Sequence, residues 1–148
     1  MAYTLQHLED KEAFEACFDL MRVLRPHVAN PTTYVEQLVR QTEHGYRLLA
    51  AWDGEQAVGL AGYRELENLL YGRFIYVDDL VVRPDLQRSS LGARLLSAVR
   101  EEAVQRGCAH FVLDTGLHMP LAQRFYFRQG LLAHGMHFPQ NLQTEGQA

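Results

Sequence analysis

The sequence predicts an α/β (α+β) domain with a mixed central sheet flanked by helices. Three observations predict it. First, apolar residues recur at spacings of three and four early in the chain and again over 91–106, as in helices with one buried face. Second, "YRLLAAW" (46–52) and "AVGLAGYREL" (57–66) flank Asp53-Gly54, which reads as a tight antiparallel hairpin. Third, the pattern after residue 73 runs strand, helix, strand, helix. That order calls for a right-handed parallel crossover.

The elements follow in order. Ala13, Phe14, Cys17, Leu20, Met21 and Leu24 share one face of a helix over 10–24, which Pro26 ends. "NPTT" opens a second helix, with Asn30 as cap and Pro31 in the first turn; Tyr34, Val35, Leu38 and Val39 form its apolar face, and Gly45 follows it. After the hairpin, Arg73 to Val82 form a longer strand, stopped by Arg83-Pro84. Leu91, Leu95, Val99 and Ala103 stripe the clearest helix, closed by Gly107. "HFVLD" (110–114) is the next strand, 120–129 the next helix, and "LLAHGMHF" (131–138) a last strand. The polar tail 139–148 is expected to be flexible.

The 148 residues suit a single domain, 1–148. A net charge of −4 gives no attraction to a phosphate backbone, so no nucleic-acid partner is expected. No segment approaches the roughly 20 apolar residues of a membrane span. Cys17 and Cys108 match no disulfide or metal framework. The start "MAYTLQHLEDKEAF" lacks the apolar run of a signal peptide. A cytoplasmic protein without a bound metal is expected.

One stretch resists a purely structural account. "FIYVDDLVV" (74–82) is a core strand carrying Asp78 and Asp79 at its centre. Regular strand geometry sends their side chains to opposite faces, and a bulge would redirect one. The loop behind it, Gln87-Arg88-Ser89-Ser90-Leu91-Gly92-Ala93, is small and polar and opens into the clearest helix. Unsatisfied amides at a helix N-terminus, with Arg88 nearby, suit an anion such as a pyrophosphate. The loop lacks the Gly-Lys-[Ser/Thr] ending of a P-loop and the three glycines of a dinucleotide-binding turn.

Strand, loop and helix together resemble motif A of the GNAT superfamily, the Gcn5-related N-acetyltransferases, written Gln/Arg-x-x-Gly-x-Gly/Ala. Gln87, Ser90 and Gly92 fall on its fixed places, with Ser90 where glycine is usual. "LAQRFYFRQGLLAHGMHF" resembles motif B through Ala122, Phe125, Tyr126 and Gly130; Leu131 replaces an aromatic and Met119 an asparagine. The resemblance covers about residues 46–138. Within the superfamily, "YVDDLVV", "LDTG" and "AQRFYFRQG" look most like small-molecule N-acetyltransferases, the aminoalkylphosphonate and aminoglycoside kinds included.

The resemblance implies acetyl transfer from acetyl-CoA to a primary amine by direct attack. The parallel strands at 73–82 and 109–114 would splay into a cleft. Leu80, Val81 and Val82 would line the pantetheine arm, with Phe125 beside it. The amides of 88–93 would hold the pyrophosphate. A backbone N–H near Leu80 would polarise the thioester carbonyl. Tyr126 would protonate the leaving thiolate, since a phenol keeps its proton near neutral pH. Asp79, or else Asp78, would meet the acceptor's ammonium, directly or through water, while the other pairs with an arginine such as Arg73 or Arg124. A homodimer is a further expectation drawn from relatives. His118 is placed near the Tyr126 helix, and His134 and His137 on opposite faces of a strand. Two other readings share the fold: a silent acyl-CoA sensor, and an acetyltransferase acting on a protein N-terminus or lysine.

Overall fold

The computed structural model describes residues 2–143. The chain divides into two compact units, the first ending at Leu113 and the second beginning at Asp114. The first carries strands β1 (Thr4–Leu8), β2 (Arg47–Asp53), β3 (Gln56–Asn68), β4 (Gly72–Val82) and β5 (His110–Leu113). It also carries helices α1 (Lys11–Ala16), α2 (Phe18–Leu24), α3 (Pro31–Thr42) and α4 (Leu91–Gln105). The second carries α5 (Pro120–Arg128).

The strands form one sheet in the order β1-β2-β3-β4-β5. The first three pairings are antiparallel and β4–β5 is parallel, with α4 as the crossover. The expected mixed sheet is therefore present. Gly54 turns the β2–β3 hairpin at φ 63, a conformation costly for a residue with a Cβ.

Adjacent residues of β3 show how the sheet is covered. A Cβ on Gly59 would stand 2.8 Å from Leu95 of α4, whereas Leu60 packs with Phe14, Phe18, Met21, Tyr34 and Leu38 of α1–α3. Neighbours on a strand point to opposite faces, so α4 covers one face and α1–α3 the other. Leu91, Leu95, Leu96 and Val99 are fully buried, each contributing roughly 1.5–3 kcal/mol of transfer free energy. Trp52 packs against the α1–α3 core, as its position before the turn suggests.

Three elements differ from the sequence expectations. Thr4–Leu8 is a strand, paired with β2 from Thr4↔Trp52 to Leu8↔Leu48. The helix expected over 10–24 breaks at Cys17, where φ is −99 and ψ 6. Phe14, Cys17, Phe18 and Met21 stay buried across the break, so the periodicity runs on through it. Residues 131–138 form no strand, because a strand needs a ladder and none is made there among the described residues. Residues 139–143 form no helix or strand, and the rest of the expected tail lies outside the described residues.

Candidate functional site

β4 changes character at its midpoint. Phe74 to Val77 pair with β3 on one side and with His110 to Leu113 of β5 on the other. From Asp78 to Val82 only the β3 ladder continues, and the other edge has no strand partner among the described residues. The β3 register also shifts at this point. Val77 faces Tyr63 and Asp79 faces Gly62, so Asp78 is an extra residue, a β-bulge.

The bulge decides where the later amides point. The Arg83 N–H donates to the Val58 carbonyl at 2.9 Å. Hydrogen-bonding direction alternates along an antiparallel strand. Val81 therefore turns its peptide groups to β3, while Leu80 and Val82 turn theirs to the unpaired edge. Val81 and Val82 bury their side chains. The peptide groups of Leu80 and Val82 thus face the open edge of β4.

The two aspartates meet in one polar cluster. Asp78 accepts two hydrogen bonds from Arg64, at 2.9 and 3.0 Å. Asp79 accepts from Arg25 Nε at 3.0 Å and from the Tyr46 hydroxyl at 2.8 Å. A second nitrogen of Arg25 donates to the backbone carbonyl of Asp78 at 2.7 Å. Arg25 caps α2 and begins the loop to α3, so it ties that loop to the bulge. The guanidinium of Arg64 lies 5.9 Å from the Tyr46 ring centroid. Both carboxylates are largely buried. Both pair with an arginine, whereas the sequence suggested one, with Arg73 or Arg124. Arg73 instead bonds Glu65 and the Arg106 carbonyl.

Burial sets the electrostatics of this cluster. It raises Asp78 above the ordinary carboxylate value, against the opposing pull of Arg64. It holds the Tyr46 phenol well above its ordinary value, and the charge of Asp79 adds to the effect. Tyr34 is raised first by burial, then by Cys17 and Asp79. The Tyr34 hydroxyl is buried with no hydrogen-bond partner. Gly62 makes room for all this. A Cβ there would overlap the Tyr46 hydroxyl and stand 2.9 Å from Asp79 Oδ2.

At the far end of β4 the polar groups are left open. A single 3-10 turn (Pro84–Leu86) leads into the loop. Gln87 reaches back to the Val82 carbonyl at 3.4 Å. The Ser89 hydroxyl donates to Leu86 O and accepts weakly from Leu91 N at 3.3 Å. Ser90 takes the cap position of α4 without a side-chain capping bond. The amides of Gly92 and Ala93 make no bond within the described residues. No acidic side chain stands in this first turn, and Arg88 is exposed beside it. Such an end fits an anion.

In the second unit, Pro120 starts α5 and Gly130 follows it at φ 88. Phe125 and Tyr126 are neighbours on α5, their rings 5.3 Å apart. Leu131 N donates to Tyr126 O at the helix end, and Gln123 reaches Gly116 O and Leu117 O. His118 lies just before the helix, and His137 pairs with Asp114 at 3.1 Å. His134 and His137 do not share a strand. Cys17 and Cys108 are both free thiols.

Sequence reasoning did not find Arg25, Arg64, Tyr34 or Tyr46. Arg25 lies 54 residues from Asp79 and sits at a helix end, where a basic residue is ordinary. Two buried acids in one strand do demand counter-charges, so the need was legible but not the suppliers.

Comparison with known proteins places this arrangement. The model described as Acetyltransferase (GNAT) family matches residues 11–131. A Sus scrofa protein named thialysine N-epsilon-acetyltransferase is 32% identical over 60 residues, 40% of this chain. The match spans only 35% of that relative's length. The solved structure of a transcriptional regulator from Bacillus halodurans C-125 has a TM-score of 0.85 at 21% identity, covering 95% of this chain and 100% of the other. That of AAC(6')-Iy, in complex with the bisubstrate analog CoA-S-monomethyl-acetylneamine, has a TM-score of 0.81 at 15% identity, covering 95% and 99%. A family match that runs from α1 past α5, on this sheet and this loop, settles the membership: the chain belongs to the acetyltransferase (GNAT) family.

Proposed function

We propose that the protein is an acetyl-CoA-dependent N-acetyltransferase whose acceptor is the primary amine of a small molecule. The observation that carries this reading is the second half of β4. Its unpaired edge and outward Leu80 and Val82 peptides stand next to the unsatisfied amides of α4. The first can receive the pantetheine amides as an added strand. The second, with Arg88, can receive the pyrophosphate through residues 87–93. Family membership supports acetyl-CoA as co-substrate, and the names of several relatives support an amine acceptor.

The chemistry has three needs. The amine nitrogen attacks the thioester carbon, so the ammonium must first lose a proton. Asp78 and Asp79 take that proton through a water, since each already accepts guanidinium hydrogen bonds. Burial raises Asp78 and makes it a better base than a free carboxylate. Charge then develops on the carbonyl oxygen, where the Leu80 N–H donates. Finally the carbon–sulfur bond breaks, and the thiolate takes the phenolic proton that we assign to Tyr126; Phe125 is assigned to acetyl-CoA binding on the family motif. We assign the chain 1–148 to one acetyltransferase domain, working in the cytoplasm. Both cysteines being free thiols supports that compartment. A homodimer stays part of the proposal, and light scattering tests it.

Thiol release from acetyl-CoA with a panel of amines tests the reading. Tyr126→Phe should lower kcat by about tenfold or more while leaving the acetyl-CoA Kd within about twofold. Unchanged turnover in that variant removes Tyr126 from the mechanism. A second reading, an acyl-CoA sensor without turnover, draws on one observation: both bulge carboxylates are already paired with arginines. Acetyl-CoA that raises the melting temperature, with no amine releasing thiol, would favour it.

A further inference from the structure

The cluster at the β4 bulge has a lopsided balance of hydrogen-bonding groups. Each of its carboxylate oxygens, and the Asp78 carbonyl, already accepts from a protein donor. The groups left over are donors. A guanidinium offers five N–H groups. Arg25 uses Nε and one other nitrogen, and its remaining nitrogen bonds nothing among the described residues. Arg64 spends Nε and one terminal nitrogen on Asp78. The Arg25 side chain remains 41% exposed despite its two bonds.

Tyr34 is a further buried polar group near the cluster. It is 4% exposed, and its hydroxyl has no partner although it feels the charge of Asp79. A buried hydroxyl without a partner is costly to the fold. A surplus of donors suits an acceptor group on the ligand rather than a bare cation. Arg25 and Arg64 balance Asp78 and Asp79, so unspent N–H donors rather than a net charge decide what the cluster can hold.

The geometry points to an acceptor that carries a carboxylate as well as its amine, with Arg25 binding that carboxylate through its unspent N–H groups. Resting on the acetyltransferase reading, this narrows the acceptor to amino acids and related amino-carboxylates. A planar guanidinium edge matches a planar carboxylate in a two-pronged hydrogen bond. The site lies at the start of the α2–α3 loop, directly over the residues that precede Leu80. An amine a few carbons from such a carboxylate would reach the open edge of β4. Arg25 is then a specificity residue for the acceptor, and its tie to Asp79 and the Asp78 carbonyl fixes its orientation.

The test compares matched pairs that differ only by the carboxylate: β-alanine with ethylamine, γ-aminobutyrate with propylamine, and lysine with cadaverine. Calorimetry on the CoA-loaded protein reads binding, and thiol release from acetyl-CoA reads turnover. At least one amino-carboxylate should bind about tenfold or more tightly than its partner, the worth of a charge-assisted hydrogen bond. Arg25→Gln should abolish the difference, while Arg25→Lys, which keeps the charge but not the fork, should retain part of it. The acetyl-CoA Kd of both variants checks that they fold. Equal affinity within every pair in the native protein overturns the inference, as does failure of every probe to bind. Turnover of the bare amines alone would overturn it while upholding the acetyltransferase. Tight binding of an amino-carboxylate with no thiol release would uphold the site and remove the enzyme.

Discussion

The two halves of β4 follow different rules. Phe74 to Val77 are held on both edges by other strands, and Phe74, Ile75 and Val77 are buried. Asp78 to Val82 are held on one edge, and their polar groups meet side chains from the end of α2, from just before β2 and from β3, or face outward. One strand thus serves as core and as site. The division falls where the parallel pairing stops. The polar residues enter at that point with their own counter-charges, so the core above and below stays apolar.

Gly62→Ala should break this arrangement most severely. The added methyl group overlaps the Tyr46 hydroxyl and drives it from Asp79. Overpacking and one lost hydrogen bond to a charged group together cost about 3 kcal/mol or more. Urea denaturation should show the loss as a lower midpoint. A midpoint within error of the native protein would mean that Tyr46 moves freely and the cluster is not a clamp.

Alkaline pH should act next, through the groups beneath the cluster. Burial raises Cys17 from 9.0 to about 11, and it also raises Tyr34 and Tyr46. Each stays protonated in the fold after its unfolded counterpart has ionised. The unfolded state therefore holds fewer protons, and stability falls as pH rises. The share of Cys17 is complete below pH 9, is lost by about pH 11, and amounts to about 2.5 kcal/mol. Urea midpoints across that window should fall, and less steeply in Cys17→Ala. A flat profile would show that these groups are wetter than their surroundings imply.

Ser90→Gly should have the smallest effect. Ser90 sits at φ −80, where a serine is unstrained. Placing the glycine usual in the motif there should change acetyl-CoA affinity by less than about threefold, or about 0.65 kcal/mol. A larger gain would mean that the serine side chain crowds the phosphates, and would sharpen the contrast with the crowded cluster at Gly62.

Much of this was legible in the sequence, and the gaps have physical causes. Asp53-Gly54 marked the hairpin because only certain residues turn so tightly. Residues 91–105 showed their helix because one face is packed end to end. The start of α4 behind "QRSSLGA" could be placed because small polar residues commonly precede a helix. β1 was missed because five residues at a sheet edge carry little pattern, and its pairing with β2 is what makes it a strand. The break at Cys17 hid inside an unbroken apolar stripe. At 131–138 the composition suited a strand that found no partner. In "FIYVDDLVV" the oddity was visible and a bulge was among the options. The identity of Arg25, Arg64 and Tyr46 was not, since each arrives through tertiary folding from another element.

The extra residue at Asp78 gives β4 a parity. Counted from Val77, one additional step reverses which edge each later peptide addresses. Point substitutions in this stretch change what the strand carries but leave its phase intact. Deleting Asp78 would set Val77 and Asp79 opposite the neighbouring Tyr63 and Gly62 as a regular ladder, leaving Leu80 and Val82 on the open edge but removing the carboxylate that Arg64 holds.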